Sequence, residues 1–203
     1  MSKLTSRGAR VGLRDLHYAI LNTDGETQLE YEEPKKILGA VTANINPNAD
    51  TETLFADDGP FDTMTALGEV ELEFEAADVP PDVQAELLGH EFDEDSGIMV
   101  RKAGDVPPWV AIGFKSIKSD GKYRFKWLLK GKFQIPETES ETRSDSIEYQ
   151  TPSMQGAFVR RDVDDAYEIT GDEGYENFDP DTWFSKDRLE MDYSGEDWTI
   201  GTS

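Results

Sequence analysis

The chain contains no cysteine, which removes disulfides, thiolate catalysis and Cys-ligated zinc together. Cations are also scarce: 20 Lys and Arg face 43 Asp and Glu, for a formal net charge of −23. Binding to phosphates is driven by Lys and Arg displacing counterions, so a free-standing nucleic-acid binder is not expected. No uninterrupted apolar run approaches the ~20 residues a membrane helix needs, and no apolar stretch follows the charged residues of Met1–Arg10. A soluble protein made without a secretory signal is expected. The chain has neither a Gly-rich phosphate loop nor a Gly-x-Ser-x-Gly elbow. His17 and His90 are the only histidines; the first falls within a strand pattern and the second just past a helix end, positions that fit packing and capping better than proton transfer. Asp57-Asp58, Asp93-Glu94-Asp95 and Asp162-Asp164-Asp165 lack the spacing of an EF-hand loop, and among 43 carboxylates such clusters arise by chance. The expectation is therefore no enzyme, no catalytic residue, no cofactor and no metal.

What is present suits one domain with long arms. The 203 residues are 36% hydrophobic and 10% aromatic, enough for a real core. Such acidity serves solubility through self-repulsion or a high-salt environment, and it is unevenly distributed. Glu69 to Asp95 holds eleven acidic residues and no basic one, whereas Arg101 to Lys132 holds nine basic residues against Asp105 and Asp120. Asp162 to Asp197 returns to fourteen carboxylates against Lys186 and Arg188. One basic segment sits between two acidic ones.

The dominant period is two, which argues strands. Residues 13–21 alternate and run into Asn22-Thr23-Asp24-Gly25, a hairpin turn in composition. Lys36 to Ile45 reads as a strand stopped by Asn46-Pro47. Residues 48–67 read as a long loop, and its Leu54, Phe55, Phe61 and Met64, beside Asp57 and Asp58, are more apolar than a solvated loop needs; they are expected to dock on another subunit. Glu69 to Glu75 is the cleanest strand, with Val70, Leu72 and Phe74 on one face and Glu69, Glu71, Glu73 and Glu75 on the other. Pro80-Pro81-Asp82 opens a helix over 81–88, ended by Gly89. Val110–Ile117 and Lys122–Phe133 flank Ser119-Asp120-Gly121, a strong hairpin signal. In the second of these strands Tyr123, Phe125, Trp127, Leu129 and Phe133 share a face, and Arg124, Lys126, Lys130 and Lys132 form a basic ladder on the other. Ser146 to Arg160 resumes as strand, and Asp179-Pro180 reads as the cap of a helix carrying Trp183 and Phe184.

In their order these pieces resemble a family. Gly12-Leu13-Arg14-Asp15-Leu16-His17-Tyr18-Ala19, Pro34 to Val41, Asn44 to Pro47, Phe55-Ala56-Asp57-Asp58-Gly59, Leu87-Leu88-Gly89, Tyr123-Arg124 and Ile147-Glu148-Tyr149-Gln150-Thr151 resemble the major tail proteins of long, flexible, non-contractile bacteriophage tails. The resemblance spans roughly residues 10 to 160. It implies a mainly β tail-tube fold, a β-sandwich or partly rolled barrel at 11–160, with one short flanking helix and a long inter-ring loop. The acidic C-terminal extension at 161–203 departs from the family's pattern, and it and an N-terminal arm at 1–10 are expected to be extended termini that acquire order from neighbouring subunits. The resemblance further implies hexameric rings stacked into a tube, assembled in the host cytoplasm and carried in the virion. The implied partners are other copies of the chain, a tape measure protein, tail terminator and distal tail proteins, and DNA in transient passage.

Two rival readings stay open. A carbohydrate-binding or adhesin-like β-sandwich would present Trp109, Trp127 or Trp183 as a stacking platform. A hydrolase would need a converging carboxylate pair. The Glu ladder has two possible settings: against the basic ladder in one sheet, giving cross-strand pairs of about 0.2–1 kcal/mol each, or apart from it. The expectation favoured is a Glu ladder facing a channel, partly compensated by the basic strand at its side, because a conduit that attracted phosphate would retain DNA.

Overall fold

The computed structural model describes residues 10–25, 28–56, 59–136, 152–195 and 198. In chain order the elements are β1 (Arg10–Gly25), β2 (Gln28–Tyr31), β3 (Lys35–Ile37), β4 (Ala40–Ala56), β5 (Gly59–Ala76) and α1 (Pro81–Leu88). They continue with β6 (Glu91–Asp93), β7 (Ile98–Val100), β8 (Trp109–Lys118), β9 (Tyr123–Phe133), β10 (Ser153–Val159), β11 (Glu168–Asp172) and α2 (Lys186–Leu189). The protein is mainly β and antiparallel throughout. One nine-stranded sheet runs β2-β1-β8-β9-β10-β5-β4, with β3 also on β1 and β11 on β9; β6 and β7 pair separately.

This sheet curls around its larger core. Leu16 and Tyr18 of β1 share that core with Val70, Leu72 and Phe74 of β5, although four ladders separate the two strands, and α1 adds Leu87 and Leu88. Each large side chain buried in this way is worth about 1.5–3 kcal/mol. The curl nearly returns on itself where β3 passes into β4 through Leu38 and Gly39, the latter in the left-handed region at φ 76°. No ladder joins β3 to β4 among the described residues, so the barrel is rolled and open. α1 matches its sequence signals: proline opens it, and Gly89 at φ 72° closes it. A side chain at Gly89 would collide with the Val106 carbonyl as well as strain the backbone.

A second core lies on the opposite face of β1, β8 and β9. Phe125, Trp127 and Leu129 meet Trp183 and Leu189 there. The Trp127 ring covers Gly113, its partner across the ladder, where a β-carbon would intrude on the indole. Residues 161–195 are thus part of the body, contrary to the expected extension ordered by neighbours. Arg161, fully buried, donates to the carbonyls of Leu189 at 2.6 Å and Met191 at 3.0 Å and pairs with Asp164. Arg10 opens β1, while residues 1–9 and 199–203 lie outside the described set.

Several expected boundaries move. Residues 48–67 are not a loop: β4 and β5 stay paired from Ala49↔Leu67 to Ala56↔Gly59. Pro47 does not stop β4, because β4 is an edge strand and a register shift between Pro47 and Ala49 absorbs the missing donor. Asn22–Gly25 remain in β1, pairing with β2 as far as Gly25↔Gln28, so the hairpin turn falls later than its composition indicated. Lys36–Ile45 divides into β3 and β4 at the Leu38-Gly39 turn. Trp183 and Phe184 occupy turns, and the short helix follows at α2.

Candidate assembly surface

Three features of the exposed surface bear on function: the far half of the β4–β5 hairpin, the glutamate face of β5, and the destination of the basic residues of β9. In the hairpin, β10 accompanies β5 only from Glu75↔Ser153 to Val70↔Phe158. Beyond that point β4 and β5 have no ladder partner but each other among the described residues. A two-stranded ribbon with a free row of N–H and C=O groups along each side is marginal alone in water and a template for pairing. Asp57 and Asp58, which join the strands, and the side chains of Leu54, Phe55, Phe61 and Met64 lie outside the described set.

On β5 the alternation is as read from the sequence. Val70, Leu72 and Phe74 are at most 1% exposed. Glu69 and Glu71 are exposed, Glu73 and Glu75 half-buried. Their partners are neutral: Thr42 Oγ1 donates to Glu75 at 3.1 Å, Asn46 Nδ2 to Glu71 at 3.3 Å and Gln155 Nε2 to Glu73 at 3.3 Å. None of the four forms an ion pair with a described residue.

The basic ladder does not compensate them. β10 separates β9 from β5, and the ladder itself is broken. Val110↔Gly131 is followed by Ile112↔Leu128, so β9 carries one extra residue at Leu129–Lys130. This bulge inverts the alternation. Phe133 joins the larger core with Leu128, while Phe125, Trp127 and Leu129 line the second. Lys130 and Lys132 accordingly lie over the Trp109 ring, at 5.2 and 4.6 Å from its centroid, on the face opposite Arg124 and Lys126. Lys118 of β8 and Arg124, Lys126 and Lys130 of β9 pair instead with carboxylates of the C-terminal stretch, Lys130 also with Asp24 of β1. Lys118, with no exposed side-chain surface, meets Asp172 at 2.6 Å, and Arg124 reaches the other oxygen at 2.7 Å. Lys126 meets Glu168 at 2.7 Å. Lys130 meets Asp24 at 2.7 Å and Asp162 at 3.0 Å.

Burial alone would raise the carboxyl pKa of Asp24 and of Asp172. For Asp24 the Lys130 ammonium and the N–H groups of Asp162 and Val163 outweigh it; for Asp172, Lys118, Arg124 and the Gly174 N–H do. Both stay below the usual carboxylate range. These clamps were invisible as such in the sequence. Its one relevant signal was a basic segment between two acidic ones, which indicated pairing without saying which acidic segment would take part.

Nothing else in the described residues assembles chemistry. His17 stacks on Phe184 with centroids 4.1 Å apart, and burial lowers its pKa. His90 is a buried link from the helix end to Asp105, its Nδ1 2.6 Å from the carboxylate. A cleft of about 640 Å³ beside β11 is lined by Ile169, Phe178, Trp183 and Trp198, and its Glu168 is already engaged by Lys126. Of the three tryptophans that a sugar platform would use, Trp127 and Trp183 are buried in the second core, leaving Trp109 at 37% exposure beneath two lysines. Among the described residues no helix is long and apolar enough to cross a membrane. No protein-family model matches the chain, and no curated protein matches it by sequence.

Proposed function

We propose that the chain is a tail-tube subunit of a long non-contractile phage tail, a structural virion protein and not an enzyme, forming hexameric rings that stack around a channel. The observation that carries this reading is the β4–β5 ribbon. Among the described residues its outer half has no ladder partner but itself, and it bears Leu54, Phe55, Phe61 and Met64, so its backbone and apolar residues call for a neighbour. The rolled, open sheet and the ordered sequence pieces from Gly12 to Thr151 support it. In this reading the free β4 edge pairs with another copy, the uncompensated row Glu69, Glu71, Glu73 and Glu75 faces the channel, and the tape measure protein occupies that channel before DNA passes. Terminator and distal tail proteins close the two ends.

Negative-stain imaging of concentrated protein tests the assembly: rings or tubes are expected, and monodisperse monomers refute it. Phe55→Ser with Phe61→Ser is expected to leave the far-ultraviolet circular dichroism unchanged while abolishing tubes. Undiminished tubes would remove the ribbon from the interface.

A further inference from the structure

One small surface cleft of this acidic molecule gathers three cations around a single carboxylate. It has a volume of about 350 Å³ and lies where β1, β8 and the β3–β4 turn meet, lined by Arg14, Lys36, Lys115, Asp15 and Leu38. Asp15 sits in a bulge of β1, where Arg14↔Lys115 is followed by His17↔Gly113, and its backbone is held at φ 51°. Its carboxylate pairs with Lys36 and, at 2.6 Å, with Lys115, which hold its pKa down at about 2. One carboxylate against three cations leaves the cleft positive. Arg14 forms no ion pair with a described residue, and Leu38 is 73% exposed beside it. An exposed leucine at the lip of a cationic cleft is what an acidic, partly apolar loop tip would cover.

The chain carries such a tip at the other end of the same strand. β4 starts at Ala40, in the wall of the cleft, and ends at Ala56, where Phe55-Ala56-Asp57-Asp58-Gly59 turns the ribbon back by sequence. Seventeen residues of strand span on the order of 50 Å. The tip therefore does not reach its own cleft, but a copy displaced along the β4 axis presents its cleft to it. A donor and a receptor at opposite ends of one strand generate an open head-to-tail stack, not a closed dimer.

We propose that the Arg14–Lys36–Lys115 cleft is the seat for the Asp57-Asp58 tip of a second copy in the next ring, with Leu38 packing against the apolar residues beside it. The proposal rests on the tail-tube reading and specifies the contact that stacks its rings. Opposite charge at the two ends also fixes polarity, because tip against tip and cleft against cleft both repel.

The absence of cysteine makes the contact directly testable. Leu38→Cys with Asp58→Cys, mildly oxidised after assembly, is expected to give a ladder of covalent multimers on non-reducing gels. Ile98→Cys with Asp58→Cys, placed at an exposed residue of β7, is expected to assemble without a ladder. Arg14→Glu with Lys36→Glu should raise the concentration needed for assembly at least tenfold, and adding Asp57→Lys with Asp58→Lys should restore it. Assemblies without a ladder, a ladder matched by the Ile98 control, a cross-link within the monomer, or a failed charge rescue would each overturn the seat while leaving the tail-tube reading in place. Protein that stays monomeric at every concentration would overturn both.

Discussion

Asp24 holds two distant parts of the chain at once. Its carboxylate accepts from Lys130 Nζ at 2.7 Å and from the backbone N–H groups of Asp162 and Val163, fixing the start of the C-terminal stretch against β1. Asp24→Asn removes the charge and leaves Lys130 only the exposed Asp162, so a loss of about 2 kcal/mol is expected in urea unfolding at pH 7. Asp15, Asp24 and Asp172 all titrate lower folded than unfolded, so the unfolded chain binds more protons as pH falls. Their stabilisation is complete above about pH 5 and lost progressively toward pH 2. The deficit of the Asp24→Asn variant should accordingly shrink as pH drops through the folded pKa of Asp24. A deficit constant from pH 7 to pH 3 would show that the charge contributes nothing.

At the level of elements, legibility followed locality. The β8–β9 hairpin, α1 and the two faces of β5 depend on signals within a few residues, and Asp120-Gly121, Pro81 with Gly89, and Val70-Leu72-Phe74 displayed them plainly. The β9 bulge left only a faint mark: Leu128 is apolar in the phase held by Arg124 and Lys126, which does not by itself signal an inserted residue. The shift shows in the pairing, with Gly131 beneath Phe158 and opposite Val110. The ribbon escapes local reading for a related reason: Asp, Asn, Gly and Pro are poor strand formers, and pairing over Ala49–Leu67 comes from the partner strand rather than from alternation. The packing of the C-terminal stretch is not legible locally, because its Asp172 finds its cations some fifty residues back, on β8 and β9. Its incorporation has a measurable consequence. Trp183 is 4% exposed against Phe125, and Trp127 Nε1 donates to its carbonyl at 3.0 Å. Trp183→Ala should therefore cost the isolated monomer about 3 kcal/mol. Unchanged monomer stability would mean that residues 161–195 contribute nothing to the subunit's fold.

For the whole molecule, two electrostatic effects oppose each other during assembly. Subunits of charge −23 repel at long range, whereas the proposed tip-in-cleft contact attracts only at contact. Screening separates them, because the Debye length falls from about 10 Å at 0.1 M salt to about 3 Å at 1 M and suppresses the distant repulsion first. The critical concentration for rings and tubes should therefore fall as salt rises, measured by sedimentation at increasing NaCl. The Glu ladder gives this prediction a second handle. Glu71→Lys with Glu73→Lys adds two charges at each site and takes −23 to −19. If these glutamates face a channel with no cationic partner, the variant should assemble at lower salt than the wild type, and its tubes should retain duplex DNA at low ionic strength. If they instead bind cations of a neighbouring subunit, reversal should abolish assembly at every salt concentration. The first outcome fits a repulsive lining that lets DNA slide; the second would move the ladder from the channel to an interface and require another surface for the lumen.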